Sequence, residues 1–212
     1  MNTSCPHGAD FTTCTLCASD AKAEGGQALR DWYDARAAVE CAKKFPRRYR
    51  DAAADHADVL AWATDFHKDP AACQSLLISG PVGTGKTFQA YGAIRAALAC
   101  GRSVRWEAVP FADFTAALRP SGRDPEGSLG RYRDAALLLV DDLGAAKASE
   151  WVEETTYRLI NARYEAMQPT IFTTNIPLKQ LRDGLGDRIA SRLVETCKVI
   201  ALIGSDRRRA AA

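Results

Sequence analysis

The stretch LLISGPVGTGKT, residues 76–87, carries the strongest fold signal in this 212-residue chain. It begins as a short apolar run, typical of a buried strand, and continues into GPVGTGKT, which fits the pattern G-x-x-x-x-G-K-[ST]. A helical pattern follows. Glycines in such a turn let the backbone approach a ligand closely, and the amides that open the next helix attract anions. The stretch therefore predicts a phosphate-binding P-loop between a strand and a helix.

The chemistry of a P-loop gives its last residues distinct roles. Lys86 is expected to reach the β- and γ-phosphates of a nucleoside triphosphate, and the Thr87 hydroxyl to hold Mg²⁺. We therefore expect a nucleoside triphosphate and Mg²⁺ at this loop. An incidental glycine-rich turn is the alternative, and both flanks of the loop argue against it. The residues predicted to bind nucleotide here are Gly80, Pro81, Val82, Gly83, Thr84, Gly85, Lys86, Thr87 and Phe88.

Composition restricts the class of protein. Apolar residues make up 47% and charged residues 25% of the chain, as in an ordinary soluble globular protein. No stretch has the length and apolarity of a membrane span, and the first residues do not resemble a signal peptide, so we expect a cytoplasmic protein. The net charge of +2 is too small to indicate nucleic-acid binding by itself. The seven cysteines of the chain do not indicate a disulfide framework in that compartment.

Strand and helix patterns alternate after the P-loop, which predicts an α/β fold with a parallel sheet covered on both faces. Apolar spacing predicts helices over 27–45 and 52–66, and the residues at 119–130 are rich in Gly, Pro and charge, as in a loop. The predicted strands lie at 76–79, 103–108, 135–140, 170–174 and 199–203.

Two acidic residues end the apolar strand at 135–140. Asp141 is expected beside the P-loop threonine, where it can help to hold Mg²⁺. Asp142 is then placed to orient or deprotonate an attacking water. Asn175 ends the next strand at the same edge of the sheet, where its amide can hydrogen-bond the γ-phosphate and that water. Alone, the two acidic residues could simply end a strand, and the asparagine could simply form a turn. Together they predict ATP hydrolysis. We expect it to be slow, because the side chain of Asp142 is shorter than the glutamate that many relatives have at this place.

Two arginines four residues apart, Arg188 and Arg192, fall on one face of a predicted helix. An isolated domain has no obvious use for them. At a subunit interface, one guanidinium could reach the γ-phosphate bound by a neighbour. The alternative is a surface helix with ordinary salt bridges.

The first seventeen residues contain the pattern C-x-H-x6-C-x2-C. Cys5, His7, Cys14 and Cys17 can supply one imidazole and three thiolates, enough for a closed tetrahedral Zn²⁺ site. A short segment with almost no core could gain its missing stability from such a metal. The C-x2-C half is typical of zinc sites and the C-x-H half is unusually tight, so a disordered leader with incidental cysteines is the alternative.

In this order, SLLISGPVGTGKT, LLLVDDLG, TTYRLINARYEAMQPTIFTTNIPLKQL and DRIASRL resemble the landmarks of the AAA+ ATPases of the DnaC/IstB group. The resemblance runs from about Phe45 to the end of the chain. It implies an AAA+ sheet sandwiched by helices without a C-terminal lid, Arg192 as an arginine finger, and Tyr49 and Arg50 near the adenine. The opening CPHG with its C-x2-C is similar to the start of many phage DnaC-like proteins.

The resemblance implies an ATP-dependent helicase loader encoded by a phage or prophage. Residues 1–45 would form a zinc and helix module that binds a replicative hexameric helicase, and residues 46–212 the ATPase domain. ATP between subunits would assemble a homo-oligomer that engages single-stranded DNA, with Arg119, Arg123 and Arg131 as candidate phosphate contacts. One alternative is an IstB-type helper that binds duplex DNA for a transposase. Another is a solitary nucleotide-binding switch.

Overall fold

A computed structural model describes residues 43–98, 104–146, 149–204, 206 and 207. The cysteine–histidine cluster and nearly all of the helix predicted over 27–45 lie outside the described residues. Among the residues that are described, no helix is both long and apolar enough to span a membrane.

The described strands form one parallel sheet. They are β1 (Ser75–Ser79), β2 (Trp106–Pro110), β3 (Leu137–Asp141), β4 (Thr170–Thr174) and β5 (Cys197–Ala201). Their order in the sheet is β2-β3-β4-β1-β5, and the pairing is parallel throughout. The predicted parallel α/β architecture is therefore confirmed, although β2 and β5 are displaced by a few residues from the predicted strands. The strand that leads into the P-loop lies between β4 and β5, inside the sheet.

Helices cover both faces of the sheet. They are α1 (Ala57–Lys68), α2 (Lys86–Leu98), α3 (Phe111–Ala117), α4 (Pro125–Arg133), α5 (Glu150–Glu165), α6 (Leu181–Leu185) and α7 (Asp187–Thr196). Short 3-10 turns occur at Arg47–Tyr49 and Leu178–Gln180.

Two apolar clusters hold the helices to the sheet. Successive side chains of a strand point to opposite faces. Accordingly, Leu76 and Ile78 of β1 belong to the cluster that packs α1 and α2, whereas Leu77 belongs to the cluster that packs α3, α5 and α7. All three leucine and isoleucine side chains are fully buried, each contributing roughly 1.5–3 kcal/mol relative to exposure. This burial on both faces fixes the register of β1 and the position of the loop that follows it.

The segment before α1 departs from the helix predicted over 52–66. Asp55 and His56 donate their backbone N–H groups to the side-chain oxygen of Gln89 on α2, each at 3.2 Å. Gly92 permits this approach, because a Cβ there would lie 2.2 Å from a backbone nitrogen of the crossing segment. A buried side chain thus satisfies the amides that a helix would otherwise use, and the helix begins only at α1.

The loop predicted over 119–130 is also partly wrong, because α4 begins within it. The Asp124 carboxylate accepts a hydrogen bond from the Gly127 N–H at 3.0 Å, and Pro125 occupies the first helical position. An N-cap aspartate followed by proline is a favourable helix start. The Pro and Gly residues that indicated a loop instead initiate a helix.

Candidate nucleotide-binding site

The P-loop adopts the tight turn that its glycines allow. Gly83 and Gly85 have φ values of +86° and +92°, in the left-handed region that residues with a Cβ rarely adopt. Lys86 is 7% exposed, and its Nζ donates to the carbonyls of Gly80 and Pro81 at 2.8 Å each. The loop therefore curls around an ammonium group at the start of α2. The N-terminus of α2 lies at the same place, and its amides can bind a phosphate as helix N-termini do.

The other P-loop side chains divide into a buried and an exposed set. Thr84 is buried, and its hydroxyl donates to the Pro81 carbonyl at 2.9 Å, which stiffens the turn. Val82 in the loop and Phe88 in the first turn of α2 are large apolar residues that stay exposed. Backbone, rather than these side chains, is thus what the loop offers to a phosphate.

Asp141 and Thr87 meet as the sequence predicts. The Thr87 hydroxyl donates to Asp141 Oδ1 at 3.0 Å, and the Thr173 hydroxyl donates to the same oxygen at 2.6 Å. Burial raises the pKa of Asp141, and the two threonine hydrogen bonds oppose that shift. A carboxylate and a hydroxyl are the hard oxygen ligands that Mg²⁺ prefers, so this residue pair fits the ion.

Asp142 occupies a strained turn that β4 holds in place. Its φ of 57° is uncommon for a residue with a side chain. The backbone N–H of Asp142 donates to the Thr173 hydroxyl oxygen at 2.8 Å, and Asn175 Nδ2 donates to the Asp142 carboxylate. Leu143 N–H then bonds the Thr173 carbonyl at 2.7 Å. The structure therefore brings both acidic residues and Asn175 together at one edge of the sheet.

Tyr49 and Arg50 contact α2, the helix that follows the P-loop. The Tyr49 ring stacks on Tyr91 of α2, with 4.9 Å between ring centroids and 14° between planes. Arg50 is exposed, and its carbonyl accepts a hydrogen bond from Arg95. Their role toward adenine stays a prediction.

A polar network beside the P-loop was missed by the sequence analysis. Gln89 is fully buried, and its amide donates to the Asp55 carboxylate, whose other oxygen lies 3.2 Å from a guanidinium nitrogen of Arg207. The Arg207 backbone N–H donates to the Gly83 carbonyl at 3.0 Å. Residues far apart in the chain thus border the loop. No spacing pattern links them, so only the fold could reveal them.

The two predicted interface arginines lie on α7, away from the P-loop of their own chain. Arg192 lies over the ring of Tyr164, with 4.2 Å from the guanidinium carbon to the ring centroid, and Arg188 lies 5.9 Å from the ring of Tyr157. Tyr164 is at the end of α5 and so close to the start of β4, whereas the P-loop follows the end of β1. Because β1 and β4 are parallel neighbours, these two places lie at opposite ends of the strands, and therefore at opposite edges of the sheet.

The fold and the site together define a class of protein. A parallel sheet of order β2-β3-β4-β1-β5, with a P-loop after β1, an acidic pair after β3 and an asparagine after β4, is the arrangement of an AAA+ ATPase. The chain belongs to the family of IstB-like ATP binding proteins, whose sequence model matches residues 49–211.

Known relatives agree with that membership. The replicative helicase loader DnaC of Escherichia coli strain K12 is 28% identical over 123 residues, which cover 56% of this chain and 49% of the relative. The chain thus spans about half the length of that curated relative. Among solved structures, a DnaC helicase loader has a TM-score of 0.65 at 23% identity, covering 74% of this chain and 100% of the other. DnaI has a TM-score of 0.64 at 22% identity, covering 76% and 95%. At these identities the structures establish a shared fold.

Proposed function

We propose that this protein is an ATP-dependent loader of a replicative helicase, working as an oligomer bridged by its ATP sites. The observation that carries the proposal is the separation of its catalytic residues. Lys86 and Asp141 converge at one edge of the sheet, and Arg192 lies toward the opposite edge. Such an arginine can serve an ATP site only in a second copy of the chain. The resemblance to DnaC then suggests what the assembly handles.

Within one chain, each site residue has a separate task. The P-loop amides and Lys86 would bind the phosphates, and Thr87 with Asp141 would hold Mg²⁺, which supplies positive charge to the phosphate oxygens. Asp142 would orient the attacking water and accept its proton. Asn175, which already contacts Asp142, would hold that water and the γ-phosphate in line.

Arg192 would complete the site of the next subunit by stabilising negative charge on the γ-phosphate during transfer. Mixing two inactive variants tests this. Lys86→Ala retains the arginine but should not bind ATP, and Arg192→Ala binds ATP but lacks the arginine. If the arginine acts between chains, the mixture regains ATPase activity that neither variant has. A mixture as inactive as its components would contradict the composite site.

The partner would be a hexameric replicative helicase, and the DNA single-stranded. Arg119 and Arg123 are exposed on the loop between α3 and α4, where they could contact phosphates, whereas Arg131 pairs with Glu107 at 3.7 Å and lies over the Tyr132 ring. Purifying the full chain with the helicase encoded by the same genome tests the partner. A stable complex at micromolar concentration is expected with ATP, and its absence would refute the loader role.

Residues 1–45 would form the module that contacts the helicase, with Zn²⁺ bound by Cys5, His7, Cys14 and Cys17. Metal analysis of the purified full chain tests the site. About one zinc ion per chain is expected. A content below one ion per two or three chains would argue against four zinc ligands.

An IstB-type transposition helper is the second candidate, and the family match favours it. Such a protein would bind duplex DNA with ATP and would not bind the helicase. Fluorescence anisotropy with single-stranded and duplex oligonucleotides of equal length distinguishes the two. ATP-dependent preference for the duplex, together with no helicase complex, would replace the loader proposal.

A further inference from the structure

Side chains of its own subunit hold the Arg192 guanidinium, and Tyr157 is one of its hydrogen-bond partners. Besides its contact with the Tyr164 ring, the guanidinium donates to Glu195 Oε2 at 3.1 Å. The Tyr164 hydroxyl donates to the other carboxylate oxygen of Glu195 at 2.8 Å. We call Arg192, Tyr164 and Glu195 the Arg192 cluster. Their contacts close into a ring that joins α5 to α7.

The cluster restrains the arginine without covering it. The guanidinium has five N–H donors, more than its hydrogen bonds with Glu195, Tyr157 and Tyr164 use, so it can still donate to another molecule. The Arg192 side chain remains 30% exposed. A flexible arginine loses much of its rotamer freedom when it engages a phosphate, and a restrained one has lost that freedom in advance.

Glu195 accepts hydrogen bonds from both other members of the cluster. The hydrogen bond from Tyr164 is the largest cause that lowers the pKa of Glu195; desolvation opposes it, and the hydrogen bond from Arg192 adds to the lowering. Arg158 and Glu126 form a comparison pair on the same protein. Their ion pair has a similar separation of 3.3 Å and exposed partners, but it involves no residue of the Arg192 cluster.

We infer that Tyr164 and Glu195 are positioning residues that direct Arg192 toward the γ-phosphate bound by a neighbouring copy of this chain. The inference rests on the proposed function, in which Arg192 acts between subunits. Neither residue touches the nucleotide. Both act by fixing the direction of the guanidinium, on which the alignment of the reacting phosphate depends.

Mixed oligomers isolate this role from the rest of the site. The Lys86→Ala chain serves as the donor of Arg192, and the Arg192→Ala chain, with its intact P-loop, as the acceptor. ATP hydrolysis is measured against donor concentration. The donor chain then receives one further substitution, which is Tyr164→Leu, Tyr164→Phe or Glu195→Gln. Thermal unfolding of each resulting donor is recorded. Glu126→Gln in the donor, which alters the comparison pair, is the matched control.

Donors with Tyr164→Leu or Glu195→Gln should reach a maximal stimulation about three- to tenfold lower than the parent donor. The Tyr164→Phe donor, which keeps the ring, should give a maximal stimulation between those of the Tyr164→Leu and parent donors. The Glu126→Gln donor should give the same stimulation as the parent. The acceptor's affinity for ATP should not change. If Tyr164→Leu fails to fold, the other two donors decide. Equal stimulation by all folded donors would overturn this inference alone, whereas no stimulation by the parent donor would refute the composite site itself.

Discussion

Thr173 on β4 donates its hydroxyl hydrogen to Asp141 at the end of β3, with 2.6 Å between the two oxygens. The same hydroxyl accepts the backbone N–H of Asp142 at 2.8 Å. One side chain on the neighbouring strand therefore fixes both the carboxylate suited to Mg²⁺ and the turn that carries the next acidic residue. Outer hydrogen bonds of this kind orient metal ligands. The acidic pair thus depends on β4 as much as on its own strand.

Replacing Thr173 by Val should lower ATP hydrolysis by about tenfold or more while nucleotide affinity changes less, because the acidic residues lose their orientation. Steady-state hydrolysis and binding of a fluorescent ATP analogue measure the two effects. Thr173→Ser keeps the hydroxyl and serves as the control. Full activity in the Val variant would show that the hydroxyl does not matter for catalysis.

Asp141→Asn should make the nucleotide-free protein more stable and nearly inactive. Because burial raises the pKa of Asp141 above its unfolded value, its ionisation lowers folding stability as pH rises through the folded pKa. The gain in melting temperature over the wild type should therefore be present at neutral pH and disappear in acid. Loss of the carboxylate proposed to hold Mg²⁺ should reduce hydrolysis by at least about 100-fold.

Thermal unfolding from acid to neutral pH measures the stability effect, with Asp65→Asn on the surface of α1 as the control. An Asp141→Asn protein that melts below the wild type at neutral pH would contradict the account of the buried carboxylate.

Asp142→Asn should bind ATP but hardly turn it over. Asparagine tolerates the positive φ of this position, so the turn should persist, whereas the amide cannot accept a proton from the attacking water. Single-turnover hydrolysis should fall by at least about 100-fold. A variant that keeps its rate would assign the base elsewhere.

Arg163 should prove one of the most important residues for stability. It is 2% exposed, and one of its guanidinium nitrogens donates to the carbonyls of Tyr132 and Ala135 at 2.9 and 2.6 Å, while another donates to that of Pro169 at 2.7 Å. Burial lowers the pKa of Arg163 to about 9, so the group is still charged at neutral pH. Arg163→Met would leave these buried carbonyls without donors, at a cost of at least about 3 kcal/mol.

Urea unfolding of the Arg163→Met chain checks this estimate. Arg158→Met, on the same helix but exposed, should change the free energy of unfolding by less than about 1 kcal/mol. Similar losses in both variants would mean that the buried hydrogen bonds contribute little.

The sequence predicted those parts of the site that depend on local order. The P-loop, the strand at Thr170–Thr174 and the acidic pair each have a pattern readable in a few consecutive residues. Parallel pairing then places the strand ends at one edge, which is why Asn175 could be expected near Asp142. In these cases local pattern and tertiary structure agree.

The sequence could not predict what arises from contacts between distant segments. Asp55 and His56 lie outside the helix, and the side chain of Gln89 accepts from their amides. Their own sequence pattern does not indicate this contact. Arg163 reads as a charged residue on an amphipathic helix, yet its guanidinium is buried among carbonyls. The support of Asp141 by Thr173 likewise depends on strand register.

The most direct test of the loader account is delivery of the cognate hexameric helicase to circular single-stranded DNA, which has no free end. Loading is measured as helicase activity on a labelled oligonucleotide annealed to the circle. The account predicts that the wild-type protein with ATP accelerates loading several-fold and that Lys86→Ala and Arg192→Ala do not. Loading that is no faster with the wild-type protein than without it, or equally fast with Lys86→Ala, would contradict the account.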